Sequence, residues 1–209
     1  MQANHRLRAV TMPVFTKNAI KILYVHVPKT AGSSIRTYFE TNGYEISYFD
    51  EGARNLYKGL CASQHIEAKL ILDEFDLSEF HYIFSVFRDP VDRLVSEYKW
   101  RCTEGGEKHP DFPYWVEWIF RCYEENNYVN DNHIRPQHEF YLEECEVFDF
   151  KDISNLPQKL SDRIGLELCR EFRKERSSSF PYTLDEKCLN HIRNFYKDDY
   201  EWRANHSLS

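Results

Sequence analysis

A short run of small, hydroxyl-bearing and charged residues, 26–35 (HVPKTAGSSI), has the composition of a loop that binds a phosphate group. It follows the apolar run 22–27 and precedes the helix-like segment 34–40, so a buried strand leads through a tight turn into a helix. Free backbone N–H groups and the positive end of the helix dipole favour an anion at such a turn. The residues predicted to contribute are Lys29, Thr30, Ala31, Gly32, Ser33 and Ser34.

The order of residues in this loop differs from that of a nucleoside-triphosphate loop. Such a P-loop reads G-x-x-x-x-G-K-[ST], with the lysine after the glycines. Here Lys29 precedes Gly32, and no glycine precedes the lysine within the loop. An ATP-dependent and Mg²⁺-dependent kinase is therefore the weaker interpretation. Asp89 does follow a predicted strand, as a metal-binding aspartate would, but its neighbours Arg88 and Pro90 fit a different motif.

A second block, residues 82–98 (YIFSVFRDPVDRLVSEY), also combines a strand, a short turn and a helix. Asp89 is a good N-cap and Pro90 suits the first helical position, which predicts a helix from there to about residue 101. Arg88 lies in the turn, where its guanidinium could hold a phosphate through fork-like hydrogen bonds. Arg93 is expected to form an ion pair with Asp89 or Glu97 on the same helix.

Together with residues 133–137 (HIRPQ), these two blocks resemble the motifs of carbohydrate sulfotransferases, the family that uses 3′-phosphoadenosine 5′-phosphosulfate (PAPS). The first block resembles their 5′-phosphosulfate loop, P-K-[ST]-x-[GS]-[ST]-[ST]. The second is similar to their 3′-phosphate motif, with Phe87 directly before Arg88 as a small departure from its spacing. The third is similar to their H-x-x-P-Q segment. The resemblance covers residues 22–141.

The resemblance implies sulfuryl transfer from PAPS to a carbohydrate hydroxyl, with 3′,5′-adenosine bisphosphate as product and no metal. Lys29 would assist the leaving group, and Arg88 and Ser96 would hold the 3′-phosphate. The acceptor base would be His65, in the turn before a predicted helix, because related glycan sulfotransferases carry a histidine in a similar place. The residues expected to face the acceptor are His133 and Gln137. Glu67 and Glu97 are alternative bases, and His26 is expected to be a packed core residue.

Strands that alternate with helices predict an α/β fold, a P-loop-like three-layer sandwich with a central parallel sheet flanked by helices. In such sheets ligands bind at the carboxyl ends of strands. The predicted strands are 21–27, 44–49, 81–87 and 147–150, and the predicted helices are 34–40, 67–75, 90–101, 114–125, 156–168 and 184–202. A Thr183/Glu186 capping box is expected to open the last helix. We expect one domain, 1–209, with a loose lead-in at 1–19 and a linker at 177–179.

The composition limits the partners. A net charge of −7 argues against nucleic acid or an anionic membrane surface as the partner. No apolar run approaches the ~20 residues that span a bilayer, and the N-terminal residues lack a signal-peptide pattern. We therefore expect a cytoplasmic enzyme, with an excised Golgi-lumenal domain as the alternative. The six cysteines lack C-x-x-C pairs, which favours free, mostly buried thiols over zinc. A non-catalytic nucleotide-binding relative remains a third interpretation.

Overall fold

A five-stranded sheet forms the centre of the part of the chain that the computed structural model describes, which is residues 13–47, 56–106, 109–165, 172 and 180–209. Its strands are β1 (Val14–Lys17), β2 (Ile20–Tyr24), β3 (Glu45–Ser47), β6 (Tyr82–Phe87) and β7 (Glu146–Asp149), in the order β3-β1-β2-β6-β7. Strands β4 (Leu56–Tyr57) and β5 (Cys61–Ala62) form a separate small hairpin.

The helices in the described residues are α1 (Gly32–Thr41), α2 (Ala68–Glu74), α3 (Pro90–Thr103), α4 (Phe112–Glu125), α5 (Leu156–Ile164), α6 (Glu186–Phe195) and α7 (Lys197–Asn205). Helices α1 and α5 pack on one face of the sheet, against Ile22 and Tyr24 of β2. Helix α2 packs on the opposite face, against Leu23. Successive residues of β2 therefore point to opposite hydrophobic layers, and the predicted three-layer α/β architecture is confirmed.

The first strand corrects the prediction of a loose lead-in at 1–19 for residues 14–17, whereas residues 1–12 lie outside the described residues. Within the described residues, β1 pairs antiparallel with both β2 and β3, whereas β2, β6 and β7 run parallel. A two-residue turn joins β1 to β2, and both of its residues, Asn18 and Ala19, have positive φ (49° and 66°). This is the hairpin geometry that usually calls for Asn-Gly. Because alanine occupies the position where glycine is the usual signal, the sequence does not indicate this turn. Since β1 runs antiparallel to both of its neighbours, the sheet is mostly rather than wholly parallel.

The C-terminal region also differs from its prediction as one helix over 184–202. The structure has α6 and α7 instead, separated at the buried Tyr196, whose hydroxyl donates to the Ile134 carbonyl at 2.8 Å. The expected Thr183/Glu186 capping box is wrong, because Asp185 is the N-cap and accepts from the Cys188 N–H at 2.7 Å. The ends of predicted strand 44–49 and helix 156–168 lie outside the described residues, as does the linker 177–179.

Two predictions from composition can be compared with the described residues. Five of the six cysteines lie in the described part and none of these five forms a disulfide there, with Cys61 and Cys188 buried and the others half-buried. Cys169 lies outside it. None of the helices in the described residues is long and apolar enough to cross a membrane.

Helix α7 anchors the turn that carries the third sequence block. Asp199 of α7 is fully buried, and its carboxylate accepts hydrogen bonds from the backbone N–H groups of Gln137 (3.0 Å) and His138 (2.9 Å). It also accepts from the Nδ1 of His138 at 2.8 Å. This last hydrogen bond raises the pKa of His138 above its usual value. The turn at residues 137–140 is therefore held to the end of the chain by one carboxylate.

The raised pKa of His138 predicts how stability varies with pH. Its charged form is favoured by folding, so its contribution is complete below the unfolded pKa of about 6.5 and is lost as pH rises through the higher folded pKa. The free energy of unfolding of His138→Gln should therefore fall furthest below that of the wild type at pH 5 to 6, and the gap should narrow toward pH 8. Denaturant titrations at several pH values measure this. His191→Gln, at an exposed position outside this network, should show no such trend; a constant gap for His138→Gln would contradict the prediction.

Candidate active site

A cleft with a volume of about 440 Å³ lies where β2 and β6 end, and it brings the separate sequence blocks together. From the first block it is lined by Lys29, Ala31, Gly32, Ser33 and Ser34. From the second it is lined by Arg88 and Ser96, and His65 and His133 complete the set of predicted residues that border it. Thr30 and Gln137 are the two predicted site residues that do not line this cleft.

The backbone of the first loop has two left-handed residues directly before a helix. Lys29 and Ala31 have positive φ values of 68° and 75°, and α1 begins directly after them at Gly32. Alternation of left-handed and other residues turns successive N–H groups toward one side of the chain, which makes a concave anion site. Ala31, the N-cap residue, has no polar side chain that could cap the first N–H groups of the helix. Thr30 supports the loop from beneath, because its buried hydroxyl donates to the Val27 carbonyl at 2.7 Å.

Gly32 is required by a side chain under the loop. A Cβ atom at Gly32 would lie 2.1 Å from Nε2 of His26, far inside van der Waals contact. His26 is buried as predicted, but it also borders the cleft, so it forms part of the floor. Burial lowers the pKa of His26 well below its usual value, and its Nδ1 is buried without a hydrogen-bond partner. The loop therefore rests on a neutral imidazole that admits only glycine above it.

Arg88 lies opposite the loop with part of its guanidinium unused. Its Nη1 donates to the Lys29 carbonyl at 3.0 Å, and the group lies 4.3 Å from the centroid of the Phe150 ring. Its Nε is buried and has no partner. A buried donor without a partner is unfavourable, so Arg88 fits a site in which an anion completes its hydrogen bonds.

Gln137 holds Arg88 rather than facing the cleft. It is fully buried, its Nε2 donates to the Arg88 carbonyl at 2.7 Å, and its Oε1 accepts from the Arg88 N–H at 3.1 Å. The position of Gln137 therefore does not support the expected contact with substrate. Both amide atoms are used to fix the backbone from which the guanidinium projects.

Helix α3 provides one wall of the cleft. Ser96 lies there half-buried, one residue before the buried Glu97. The Lys29 ammonium lies 4.9 Å from the ring centroid of Trp100, also on α3. Burial lowers the pKa of Lys29, and the Glu97 carboxylate opposes this shift. The wall therefore presents a hydroxyl, an aromatic face and a nearby negative charge that favours the protonated lysine.

His65 reaches the cleft from a short 3₁₀ turn, Ser63–His65, at the end of the small hairpin. It is 6% exposed, and its Nδ1 lies 2.8 Å from Oδ2 of Asp131. Its ring centroid lies 4.9 Å from that of His26 and 4.7 Å from that of His133. Asp131 was not singled out in the sequence, where it is one of several polar residues in the segment 126–137.

His133 forms a second histidine–carboxylate pair. Its Nδ1 lies 2.7 Å from Oε2 of Glu97, whose Oε1 accepts from the Arg101 Nε at 2.6 Å. Burial alone would raise the pKa of Glu97, but His133, Arg101 and Lys29 together lower it to about 2. Arg93 does not pair with the acidic residues of its own helix as expected; it donates to the carbonyls of His133 (3.0 Å) and Arg135 (2.7 Å). It thereby holds the third block against α3.

The carboxylates of the alternative bases do not line the cleft. Neither Glu67 nor Glu97 lines it, and Oε1 of Glu67 accepts a hydrogen bond from the Tyr128 hydroxyl at 2.7 Å. His65, Asp131 and His133 each offer an atom able to bind a metal, and these atoms lie within 4.8 Å of one another. The two histidines already use one ring nitrogen in a bond to a carboxylate, the arrangement that fixes an imidazole in either a metal site or an acid–base site.

Comparison with known proteins assigns a family to the chain. A family model described as "Sulfotransferase family" matches residues 12–202, which is most of the 209-residue chain. The match extends beyond the three sequence blocks and includes all seven helices described above except the last residues of α7. No curated protein and no solved structure matches this chain.

The contact between Gly32 and His26 yields a prediction for stability. Gly32→Ala forces its Cβ against the imidazole, so we expect a loss of ~1–3 kcal/mol in the free energy of unfolding, as for other overpacked sites. His26→Ala removes the obstructing ring, and the double variant should therefore lose less than the sum of the two single variants. Denaturant unfolding of the four proteins measures the coupling. Ser33→Ala, one exposed residue further on, serves as the control; strictly additive losses would contradict the contact.

Proposed function

Because the chain belongs to the sulfotransferase family, we propose that it transfers a sulfuryl group from PAPS to a hydroxyl of a carbohydrate acceptor. Sulfuryl transfer as such follows from the family. The donor, the acceptor class and the residue roles are the proposal. One observation carries it, which is that a single cleft is lined by the Lys29 loop, by Arg88 with Ser96, and by His65. A nucleotide with a phosphate at each end would bridge the first two groups.

The donor is proposed to bind with its 5′-phosphosulfate in the loop at the start of α1 and its 3′-phosphate at Arg88. The left-handed residues of the loop and the first N–H groups of α1 are the expected anion donors, and the unpartnered Nε of Arg88 is a charged donor. Ser96 adds a hydroxyl on the α3 wall of the cleft. Phe150, whose ring lies 4.3 Å from the Arg88 guanidinium, and Ile153 also line the cleft and provide apolar surface suited to a purine.

The reaction is proposed as an in-line displacement. The S–O bond to the 5′-phosphate breaks while a new S–O bond forms to the acceptor oxygen, and the nucleotide leaves as 3′,5′-adenosine bisphosphate. Negative charge grows on the bridging oxygen, where the Lys29 ammonium stabilises it. The acceptor hydroxyl gives its proton to His65. Since the Nδ1 of His65 is engaged by Asp131, its Nε2 is the atom that accepts this proton.

The cleft lining also includes side chains that suit a sugar. Trp100 and Tyr182 provide aromatic faces, and Lys99 and Gln64 provide polar groups in the same lining. The Lys99 ammonium lies 4.7 Å from the Tyr182 ring centroid. Flat aromatic surfaces with a few polar side chains are typical of pockets that orient a small polar ligand.

The position of His65 beside the Lys29 loop weighs against the alternative of a non-catalytic nucleotide-binding relative that has lost its base.

The nucleotide proposal predicts a preference for a 3′-phosphate. Calorimetry should show that 3′,5′-adenosine bisphosphate binds at least about 10- to 100-fold more tightly than 5′-AMP, since one or two charge-assisted hydrogen bonds are involved. Arg88→Met should remove most of this preference while leaving 5′-AMP affinity nearly unchanged. Arg36→Met, on the outer side of α1, is the control. Equal affinities of the wild type for 3′,5′-adenosine bisphosphate and 5′-AMP would rule out a 3′-phosphate site at Arg88. In a separate test, loss of activity in EDTA would rule out a metal-free reaction.

The transfer proposal predicts a kinetic effect of Lys29. With labelled PAPS and a panel of glycans, the wild type should transfer label to at least one sugar hydroxyl. Lys29→Ala should lower kcat by ~10²–10³-fold with little change in nucleotide affinity, because its charge matters most as the leaving group develops. Lys187→Ala, at an exposed position on α6, should behave as the wild type. A change confined to KM would contradict the leaving-group role of Lys29.

A further inference from the structure

We propose that Asp131 is a positioning residue for the reaction: it fixes the tautomer and the orientation of the His65 imidazole so that Nε2 faces the acceptor hydroxyl. This inference rests on the proposed function, in which His65 is the acceptor base. Asp131 lies in the segment between α4 and the Gln137–Phe140 turn, 66 residues from His65 in sequence. Only the folded chain brings them together.

Three contacts from one short segment converge on the turn that carries His65. The Oδ2 of Asp131 lies 2.8 Å from Nδ1 of His65, and its Oδ1 accepts a hydrogen bond from the Ala62 N–H, just before the turn. The next residue, Asn132, donates from Nδ2 to the His65 carbonyl at 2.6 Å. Residues 131–132 therefore hold the His65 ring, the Ala62 N–H before the turn and the His65 carbonyl.

The hydrogen bond between Asp131 and His65 selects one tautomer of the imidazole. A neutral imidazole has one N–H donor and one acceptor nitrogen, and an ionised carboxylate can only accept. Burial would raise the pKa of Asp131, but the hydrogen bond from His65 and the charge interactions outweigh burial and lower it. Asp131 is thus a carboxylate at neutral pH, so the proton of neutral His65 resides on Nδ1. The Nε2 lone pair is left to receive a proton from the substrate.

The backbone of this segment is strained in a way that the side-chain contacts explain. Asn130, Asp131 and Asn132 all have left-handed φ values, 54°, 59° and 65°. Each left-handed residue with a side chain costs roughly 1–2 kcal/mol, although Asn and Asp tolerate this conformation better than other residues. Three in succession persist only where surrounding contacts require them. The Asn132 side chain is fixed in turn, because its Oδ1 accepts from the Arg135 Nε at 2.7 Å.

Comparison with two other histidine–carboxylate pairs supports the positioning role of Asp131. His138 and Asp199 form a pair of the same length, but His138 does not line the cleft. His133 does line it, yet its partner Glu97 also binds Arg101 and lies near Lys29. Glu97 is therefore already part of the charge balance around Lys29. Among the described residues, Asp131 bonds only to the His65 ring and to the backbone N–H of Ala62 just before its turn, which is the arrangement expected of a residue whose role is to orient one imidazole.

The first test is kinetic. Asp131→Asn is isosteric, but its amide can donate to Nδ1 and so permit the opposite tautomer. We expect kcat to fall by ~10²–10⁴-fold, as when the orienting carboxylate of a catalytic histidine is neutralised, with the affinity for 3′,5′-adenosine bisphosphate unchanged. In a His65→Ala background the same substitution should have almost no further effect, because Asp131 acts through that ring. Asn130→Gly keeps the left-handed turn and should retain kcat within about twofold.

The second test does not depend on turnover. Nitrogen-15 NMR of the imidazole in the unliganded wild type should show neutral His65 protonated at Nδ1, and Asp131→Asn should shift the population toward Nε2 protonation. An Nε2–H tautomer in the wild type would overturn the proposal, even if Asp131→Asn failed to fold. Equal kinetic losses for Asp131→Asn with and without His65 would also overturn it. Absence of any sulfuryl transfer by the wild type with the correct tautomer observed would instead count against the proposed function.

Discussion

The side-chain amide of Gln137 is the interaction on which most of the cleft depends. It replaces the backbone partner that Arg88 would have had if its strand continued, since it satisfies both the N–H and the carbonyl of that residue. The strand can therefore end at Phe87 without a buried, unsatisfied backbone group. Asp199 in turn fixes the Gln137 N–H. Residues from three distant parts of the chain thus determine where one guanidinium points.

The cleft combines rigid backbone with charges that are balanced in pairs. The first loop, which lines the cleft, has left-handed non-glycine residues at Lys29 and Ala31, and the segment that contacts the His65 turn has three more, at residues 130–132. The charged groups near them have close partners: Lys29 lies close to Glu97, and the Asp131 carboxylate lies against the His65 imidazole. Strain and buried charge are both unfavourable for stability, and both occur at this site. This is the pattern expected when geometry is selected for binding and chemistry.

Features that depend on neighbouring residues could be predicted from the sequence, whereas contacts between residues far apart in the chain could not. The phosphate-loop turn, the Asp89 cap and the helix that follows depend on neighbouring residues, and each was placed within a few positions. The β1 hairpin was missed because alanine occupies a position where glycine is the usual signal. Asp131 and the supporting role of Gln137 could not be read at all, because their partners lie 66 and 49 residues away and either residue alone suits a polar loop.

The imidazole under the phosphate loop has a consequence for how this chain can diverge. Position 32 has no room for any side chain while His26 is present, so the two positions are not free to vary independently. A lineage could acquire a larger residue at 32 only after position 26 had first become small. The reverse order would pass through an overpacked intermediate. The loop therefore has a directional mutational path, and exchanges between homologues at position 32 alone would succeed or fail according to the residue at 26.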